Sequence, residues 1–364
     1  MDAGLPNVNT LSAFARVRNN GQILGGYNFV NRSSNFYTGS SHGTNTFSDI
    51  AGFLDGVFVG TAPDASYYLF ITEDTSKEVP LEESLWVEAA ERADSLGVDV
   101  INTSLGYTTF DETKYDYSYA DMDGNTAFIS RGAEIGASRG MIFVNSSGNA
   151  GNSSWHYMGA PSDAPSVFSV GAVNATGTIA SFSSYGPTSD GRIKPDVLAQ
   201  GQNVYVISSI SGSPVTSNGT SFSSPIMAGV IACFWQAFPN KTGAQIRQII
   251  RASADRYANP TDQYGYGIPN FETAYNTTLS VNEFDFFKDV VIFPNPVSTH
   301  FTIQIPKGSL SNFGIRIFNI LGKEVYQQKV LKNATIDVST LHNGIYIVQI
   351  TKGNLQKTLK LIKT

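Results

Sequence analysis

The chain has 364 residues, of which 41% are hydrophobic and 15% are charged, so it can bury a large core and is not an intrinsically disordered protein. Charge is uneven: residues 1–284 carry a net charge of −12, whereas residues 285–364 carry +6, which favours two domains with these boundaries. The acidic part would repel a phosphate backbone, so nucleic acid is not expected as a partner.

The first segment, MDAGLPNVN, is a turn rich in Gly, Pro and Asn, and it contains no signal peptide because an acidic residue follows Met1 directly. Asp2 lies in this turn, and an Asp followed two residues later by Gly is usually just part of a turn. Further along, His42 opens the predicted helix SHGTNTFSDIAG. A histidine at such a position is more often a cap or a surface residue than a catalytic one.

The middle of the chain alternates helical patterns with short β-branched runs, which is typical of a parallel sheet covered by helices. Helices are predicted from Leu81 and from Asn125, and strands at VDVIN, at MIFVNS from Met141 and at VFSVGAV from Val167. The first two strands end in the turns TSLG and SGNAG. Because ligands bind at the carboxyl ends of parallel strands, we expect these two turns to line a site.

The segment YADMDGNTA, which precedes the second helix, carries the carboxylates Asp121 and Asp123, and calcium prefers such oxygen ligands. Its spacing differs from that of the EF-hand loop, so a turn that caps the next helix is favoured over a calcium site. The segment HGTNT also lacks the glutamate of the zinc motif H-E-x-x-H. The metal ligands of the chain, if it has any, stay unknown.

The stretch NGTSFSSPIMAG, residues 218–229, joins a polar turn to an apolar helix, with Ser221 at the junction. A serine there is either a helix cap or a nucleophile, and this window alone does not decide between them. The apolar run at 225–238 is shorter than the ~20 residues that cross a bilayer, so no transmembrane segment is predicted. Cys233, the chain's one cysteine, lies in this run and is predicted to be a core residue.

From about Phe287 the pattern changes to the short alternating strands FTIQI, IRIF, IYIVQI and TLKLIK, with glycine-containing turns between them. Residues 290–364 are therefore predicted to form a small antiparallel β-sandwich. A polar linker around residues 276–289 would join it to the larger domain.

Asp2, His42 and Ser221 stand in one of the known orders of a Ser-His-Asp triad, and all three lie at the ends of predicted elements. The ordered motifs DAG, HGT, SSGNAG, SFSSYGP, IKPDVLAQG and NGTSFSSP resemble those of the subtilisin-like serine peptidases over residues 1–284. The resemblance implies an α/β fold with a central parallel sheet flanked by helices. It also implies a secreted endopeptidase that cleaves polypeptides through an acyl-enzyme intermediate.

In this resemblance Ser221 is the nucleophile, His42 is the general base and later the acid, and Asp2 fixes the tautomer of His42. Asn149 matches the side-chain donor of the oxyanion hole, with the backbone N–H of Ser221 as its partner. The positions that match substrate-binding residues of the family are Ser104, Leu105, Gly106, Gly148 and Gly159.

The segment 104–106 would pair with the extended backbone of the substrate. Gly148 would continue the wall of the pocket for the side chain before the scissile bond. A glycine floor at Gly159 would leave room there for large apolar or aromatic side chains. The resemblance further implies a cis Ala160–Pro161 bond, no cofactor for catalysis, and room for structural calcium that cannot be placed.

The segments VVIFPNPVSTHFTI, IRIFNILGKEV, IDVSTLHNGIYIVQI and TLKLIKT resemble the C-terminal sorting domains of the type IX secretion system over residues 287–364. This resemblance implies a secreted or cell-surface protein, with the secretion machinery as a partner. A generic β-sandwich binding module is the alternative interpretation of the same segment.

Relatives place the catalytic Asp at the end of an apolar core strand, after a propeptide and a signal peptide, so we expect this chain to be N-terminally incomplete. Without that strand, Asp2 is expected to lie on a frayed terminus that leaves His42 free to adopt the wrong tautomer. An inactive fragment and a non-catalytic peptide-binding or surface protein on this scaffold are therefore the alternative functions. An α/β-hydrolase esterase is disfavoured because GTSFS replaces G-x-S-x-G around Ser221.

Overall fold

The computed structural model describes residues 1–279, 290–304, 313–330, 334–352 and 355–364. The chain divides into two compact units, Met1–Thr277 and Thr278–Thr364, which are treated separately below. The helices of the larger unit are α1 (Ala15–Asn19), α2 (His42–Ala51), α3 (Leu81–Ser95), α4 (Phe128–Ser138), α5 (Thr220–Ala237), α6 (Gly243–Ala252) and α7 (Phe271–Leu279, which runs just past the boundary). Its strands are β1 (Ile23–Asn28), β2 (Phe53–Leu54), β3 (Phe58–Val59), β4 (Tyr67–Ile71), β5 (Val100–Thr103), β6 (Ile142–Ser146), β7 (Phe168–Val173), β8 (Val197–Gln200), β9 (Val204–Ile207) and β10 (Pro214–Ser217).

Four parallel strands in the order β5-β6-β7-β8 form the central sheet. Every residue of β6 and β7 is buried, as expected for parallel strands with helices on both faces. Helices α3 and α4 contribute to one apolar cluster, and α5 and α6 contribute to another. The predicted α/β class is confirmed, with flanking helices around a parallel sheet.

The first two residues of the chain join this sheet to a second one, in which β1 and β4 pair in parallel. The Asp2 N–H donates to the Phe70 carbonyl at 3.2 Å, and the Thr72 N–H donates to the Asp2 carbonyl at 3.1 Å. On the other side, the ammonium group of Met1 donates to the Asn102 carbonyl at 2.9 Å. Met1 and Asp2 therefore lie between β4 and β5.

The predicted helix starts are close to the observed ones. Helix α3 begins at Leu81 as predicted, whereas α4 begins at Phe128, three residues after the predicted start. The delay arises because Asp123 Oδ1 accepts the backbone N–H groups of Asn125 and Thr126, each at 2.7 Å, in a separate turn. Asp121 likewise accepts the N–H and hydroxyl of Ser118. The prediction that this turn caps the next helix was wrong: the N-cap of α4 is Ala127, which has no side-chain cap, and the two carboxylates bond within the segment that precedes the helix.

The prediction that Cys233 is a core residue was wrong, because its side chain is exposed. On α5, the buried Ile231 and Phe234 face the sheet, and Cys233 falls on a neighbouring face of the helix, where its thiol donates to the Thr61 carbonyl at 3.4 Å. An apolar run therefore does not imply a helix buried on all sides. Within the described residues, no helix combines the length and the apolar character needed to cross a membrane.

In the smaller unit, two antiparallel sheets pack around a common apolar cluster that includes Phe301, Ile315 and Val348. One sheet has the order β11-β12-β15 and the other the order β14-β13-β16-β17. These strands are β11 (Val291–Phe293), β12 (His300–Gln304), β13 (Phe313–Asn319), β14 (Glu324–Val330), β15 (Thr335–Asp337), β16 (Gly344–Lys352) and β17 (Leu355–Lys363). The predicted antiparallel sandwich is confirmed, whereas most of the predicted linker lies outside the described residues.

Candidate active site

The carboxylate of Asp2 is held rigidly against His42, the first residue of α2. His42 Nδ1 lies 2.8 Å from Asp2 Oδ1, which also accepts the Ala3 N–H at 2.7 Å. The second carboxylate oxygen accepts the Thr46 hydroxyl at 3.0 Å, and Asp2 is only 6% exposed. The expectation of a frayed Asp2 was therefore wrong, because bonds to β4 and to α2 replace the order that a preceding strand would supply.

Asp2 and His42 stabilise each other's charged forms. Burial acts to raise the pKa of the Asp2 carboxyl, but the attraction and the hydrogen bond to His42 outweigh burial and lower it. The pKa of His42 is raised, because the attraction to Asp2 outweighs the effect of its own burial. A proton on Nδ1 is shared with Asp2, which leaves Nε2 as the nitrogen that can accept a proton.

Ser221 is the second residue of α5 and does not cap this helix. The N-cap position belongs to Gly219, whose φ of 153° is readily adopted by glycine. The Ser221 hydroxyl instead donates to the Ser104 carbonyl at 3.2 Å, and the Ser104 hydroxyl donates back to the Ser221 carbonyl at 2.9 Å. Helix geometry leaves the Ser221 backbone N–H without an intrahelical acceptor, at the positive end of the helix dipole.

His42 lies beside the start of α5. Its ring centroid is 6.0 Å from the ring centroid of Phe222, the residue that follows Ser221. The structure thus brings Asp2, His42 and the serine-bearing helix start to one place, although they are separated by about 220 positions in the sequence.

Asn149, in the turn after β6, is oriented by Thr220. Asn149 Oδ1 accepts the Thr220 backbone N–H at 2.9 Å and the Thr220 hydroxyl at 3.1 Å. The Thr220 hydroxyl in turn accepts the Gly148 N–H at 3.1 Å. Because its oxygen is engaged in this way, the amide presents its Nδ2 beside Gly219, 3.7 Å from where a Cβ on that residue would lie.

Thr46 and Thr220 were not predicted as site residues, and both matter to the geometry of the site. Thr46 lies four residues after His42, one helical turn along α2, and this spacing is a usable signal that both side chains face Asp2. Thr220 lies directly before Ser221, but its partner Asn149 is 71 residues distant, so no local pattern identifies the contact.

The predicted substrate segment and the predicted pocket floor lie side by side. Tyr107 and Ala160 exchange two backbone hydrogen bonds of 2.8 and 3.0 Å, which hold the two segments together. Glycines are needed at this approach: a Cβ on Gly159 would lie 2.9 Å from the Tyr107 carbonyl oxygen, and one on Gly106 would lie 3.2 Å from that of Ala160. The Ala160–Pro161 bond is cis, as predicted.

Leu105 and Gly148, two further predicted positions, border the same region. Asn145 donates from Nδ2 to the Leu105 carbonyl at 3.1 Å and so ties the turn after β5 to β6. Gly148 has a φ of 105°, and a Cβ there would lie 2.9 Å from the Ser184 hydroxyl, so a larger residue would be strained. Their roles in substrate binding stay predictions.

Among the described residues, one group of carboxylates has oxygen atoms close enough together to hold a cation, namely Glu73, Glu78 and Glu82. Burial raises the pKa of Glu73 to about 8 and that of Glu78 to about 7. Both shifts favour the protonated carboxyl, Glu73 more than Glu78, which weakens these groups as cation ligands. The expectation of structural calcium stays a prediction.

The fold and the site together define a class of protein, the subtilisin-type serine peptidases. Residues 4–267 match the profile described as "Subtilase family", and the chain belongs to this family. Similar proteins include subtilisin NAT of Bacillus subtilis subsp. natto, 34% identical over 69% of this chain and 60% of its own length. Subtilisin DY of Bacillus licheniformis is 32% identical over 70% of this chain and 84% of its own length.

Solved structures agree with the fold. MycP1 from Mycobacterium smegmatis has a TM-score of 0.58 at 22% identity and covers 76% of this chain and 78% of its own. The self-cleaved protease domain of PatA also has a TM-score of 0.58 at 22% identity, covering 76% of this chain and 94% of its own. Identities this low support the fold alone.

The smaller unit matches the profile described as "Secretion system C-terminal sorting domain" over residues 291–364. This match confirms the predicted location of the protein as secreted or at the cell surface.

Proposed function

We propose that this protein is a serine endopeptidase that hydrolyses polypeptides through an acyl-enzyme intermediate on Ser221. His42 Nε2 takes the proton of the Ser221 hydroxyl as the oxygen attacks the substrate carbonyl, and then delivers that proton to the leaving amine. In the second half a water molecule loses a proton to His42 and attacks the acyl carbonyl; the bond to the Ser221 oxygen then breaks, and His42 returns the proton to that oxygen. Asp2 keeps the proton of neutral His42 on Nδ1 and stabilises the imidazolium that forms in each step.

The negative charge that develops on the substrate oxygen would face two donors. One is the backbone N–H of Ser221 at the start of α5, and the other is Asn149 Nδ2, with its amide oriented by Thr220. Both donors are fixed before substrate binds, so little reorganisation is needed when the charge develops.

The contact between Asp2 and His42 is the observation that carries this proposal. A carboxylate 2.8 Å from Nδ1 is the partner that a histidine base requires, and the ring lies next to the residue that follows Ser221. The Ser221 hydroxyl donates to Ser104 in this conformation. We infer that rotation about its Cα–Cβ bond exchanges that acceptor for His42 Nε2.

We infer that substrates bind as an extended strand along Ser104–Gly106, with an apolar side chain directed towards Gly159. Polypeptides are thus the expected substrates. The sorting domain is proposed to act with the type IX secretion machinery, which would carry the enzyme across the outer membrane.

A fluorophosphonate probe tests the proposal, because such probes form a covalent adduct only with an activated serine. We expect labelling of the 364-residue chain at Ser221, loss of labelling in Ser221→Ala, and strongly reduced labelling in His42→Ala. The matched control is Ser223→Ala, which removes a neighbouring buried hydroxyl that bonds within its own helix. A chain that binds peptides but is never labelled would instead be the non-catalytic scaffold protein.

A further inference from the structure

Tyr107 directly follows the segment Ser104–Gly106, along which substrate is expected to bind. Its side chain is only 1% exposed, and its ring stacks on that of Phe110, with the two ring centroids 5.9 Å apart. Its backbone N–H and carbonyl are both bonded to Ala160. The phenol hydroxyl is the remaining polar group of this buried residue, so the bond that it makes helps to fix the end of the segment.

Glu73 is the partner of that hydroxyl. It follows β4 by two residues, and its Oε1 accepts the Tyr107 hydroxyl at 2.5 Å. The residue before it, Thr72, donates its N–H to the Asp2 carbonyl at 3.1 Å. The chain that leaves β4 therefore contacts the backbone of Asp2 with one residue and the end of the substrate segment with the next.

Residues 73–80, which we call the brace loop, are held in place by the helix that follows them. Glu82, in the first turn of α3, accepts the Asp74 N–H at 2.7 Å with one carboxylate oxygen. Its other oxygen accepts the Val79 N–H at 3.0 Å. Both ends of the brace loop are thus bonded to one buried side chain, and such a network makes a loop rigid.

The brace loop is joined a second time to the chain beyond Tyr107. The Asp111 N–H donates to the Glu78 carbonyl at 2.9 Å, and the Glu78 N–H donates to Asp111 Oδ2 at 3.2 Å. The brace loop and the chain that continues the substrate segment are therefore held together at two places. The bond between Glu73 and Tyr107 is the one nearer to the segment.

The Glu73 carboxyl is favoured in its protonated form. Burial raises its pKa to about 8, against the lowering effect of the bond from Tyr107, and the charges of Glu82, Glu78 and Asp2 act in the same direction as burial. A protonated carboxyl accepts the Tyr107 hydroxyl without placing a second negative charge beside Asp2. Glutamine is a close neutral substitute for it, because its amide oxygen is also an acceptor.

We propose that Glu73 and Tyr107 are positioning residues whose hydrogen bond keeps Ser104–Gly106 ordered for pairing with the extended backbone of a substrate. Neither side chain is bonded to His42 or Ser221 in the described structure. A peptide binds more tightly to a segment that is already ordered, since ordering a mobile one costs binding free energy. The bond should therefore act on peptide binding rather than on the chemical step. This inference rests on the proposed function and specifies how its substrate segment is held.

Tyr107→Phe tests the proposal because it removes only the hydroxyl. Its matched control is Tyr117→Phe, since Tyr117 donates to Glu83 at 2.9 Å in a second pair of the same chemistry. On a peptide anilide long enough to pair with the whole segment, Tyr107→Phe should raise KM about tenfold and leave kcat within about twofold. Tyr117→Phe should change neither. The rate of fluorophosphonate labelling should also stay unchanged in both variants, because that probe reacts at Ser221 without pairing with the segment.

Variants of Glu73 test the other half of the bond. Glu73→Ala should raise KM as Tyr107→Phe does, and the double variant should bind no more weakly than either single variant, because both lose the same contact. Glu73→Gln should keep KM near that of the unaltered chain. An unchanged KM in Tyr107→Phe, an equal rise in Tyr117→Phe, or a fall in kcat at constant KM would each overturn the proposal.

Hydrogen exchange provides a measurement that does not depend on peptidase activity. In the Ser221→Ala chain, adding Tyr107→Phe should speed exchange at the amides of Ser104–Gly106, whereas adding Tyr117→Phe should not. Equal exchange with and without the Tyr107 hydroxyl would overturn the proposal. An unaltered chain that is neither labelled nor active would contradict the proposed function instead, and hydrogen exchange would still decide whether this bond orders the segment.

Discussion

At the residue scale, the geometry of the site depends on a few contacts between residues that are far apart in the sequence of the larger unit. The motifs that surround Asp2, His42, Ser221 and Asn149 allowed these residues to be named from the sequence, because chemistry demands fixed residue types there. The threonines that orient them could not be named in that way. A hydroxyl is only a hydrogen-bonding group, and its role depends on which distant atom the fold places opposite it.

The Asp2–His42 pair makes a prediction about pH dependence. Asp2→Asn should lower kcat/KM by about 10⁴-fold, because an amide no longer favours the productive tautomer of His42. The base must be neutral to act, and the pKa of His42 is raised chiefly by Asp2. The acidic limb of the kcat/KM profile should therefore move to lower pH in the variant. Kinetics on a peptide anilide between about pH 5 and 9 measure both effects.

Asp55→Asn is the matched control for this experiment, since Asp55 is an exposed carboxylate outside the site. It should leave both the rate and the profile unchanged. An acidic limb at the same pH in Asp2→Asn and in the unaltered chain would contradict the pairing.

Thr220 and Asn149 make a second prediction at this scale. Asn149→Ala should lower kcat by about 10²–10³-fold with little change in KM, because its amide acts on the developing oxyanion. Thr220→Val keeps the shape of the side chain but removes the hydroxyl that bonds Asn149 and Gly148, and should cost about tenfold. The double variant should be no slower than Asn149→Ala alone, because Thr220 acts through Asn149. If the fold-losses in kcat of the two single variants multiply in the double variant, the two side chains act independently.

At the element scale, the alternation of helices and strands was predictable because each element carries its own period. Strands β5, β6 and β7 and helices α3 and α4 lie within a few residues of their predicted positions. Strands β1 and β4 were not predicted, because the sequence ILGGYN reads as a turn and TAPDASYYLFI has no clear alternation. Their pairing is a long-range contact that local patterns do not encode.

A buried ion cluster ties the start of β8 to α6. Asp196, 2% exposed, lies 2.7 Å from Lys194 Nζ and contacts the guanidinium of Arg251, and it also accepts the Ser169 N–H. Asp196→Asn would leave Lys194 as an uncompensated buried cation. We expect a loss of about 3–5 kcal/mol in the free energy of unfolding, measured by urea denaturation.

Asp190→Asn provides the comparison for that measurement. Asp190 pairs with Arg192 in the same stretch of chain, but its side chain is 42% exposed. The loss there should not exceed about 1 kcal/mol. Equal losses in the two variants would mean that burial does not set the strength of the Asp196 cluster.

At the scale of the whole molecule, two units with opposite net charge have separate cores. The composition and the change of pattern near Phe287 predicted this division, since each unit needs a core of its own.

The independence of the two units makes a prediction about export. Removing residues 278–364 should leave fluorophosphonate labelling and the unfolding midpoint of the larger unit unchanged, because the two units have separate cores. In a bacterium with a type IX system, the shortened chain should stay inside the cell. A fluorescent protein that carries a signal peptide for the inner membrane and residues 278–364 should be exported, and this is checked by immunoblotting of cells and medium. Export of the shortened chain would assign the signal to another region.

The location of Met1 inside the sheet has a practical consequence for handling the protein. Its nitrogen bonds to a β5 carbonyl, so any residues ahead of it, native or added, must run between β4 and β5 before they reach solvent. The next residue, Asp2, carries the carboxylate that orients His42. A bulky or charged segment placed directly ahead of Met1 would therefore disturb the triad, whereas an insertion in an exposed surface turn, such as the one at Gly56, would leave it intact.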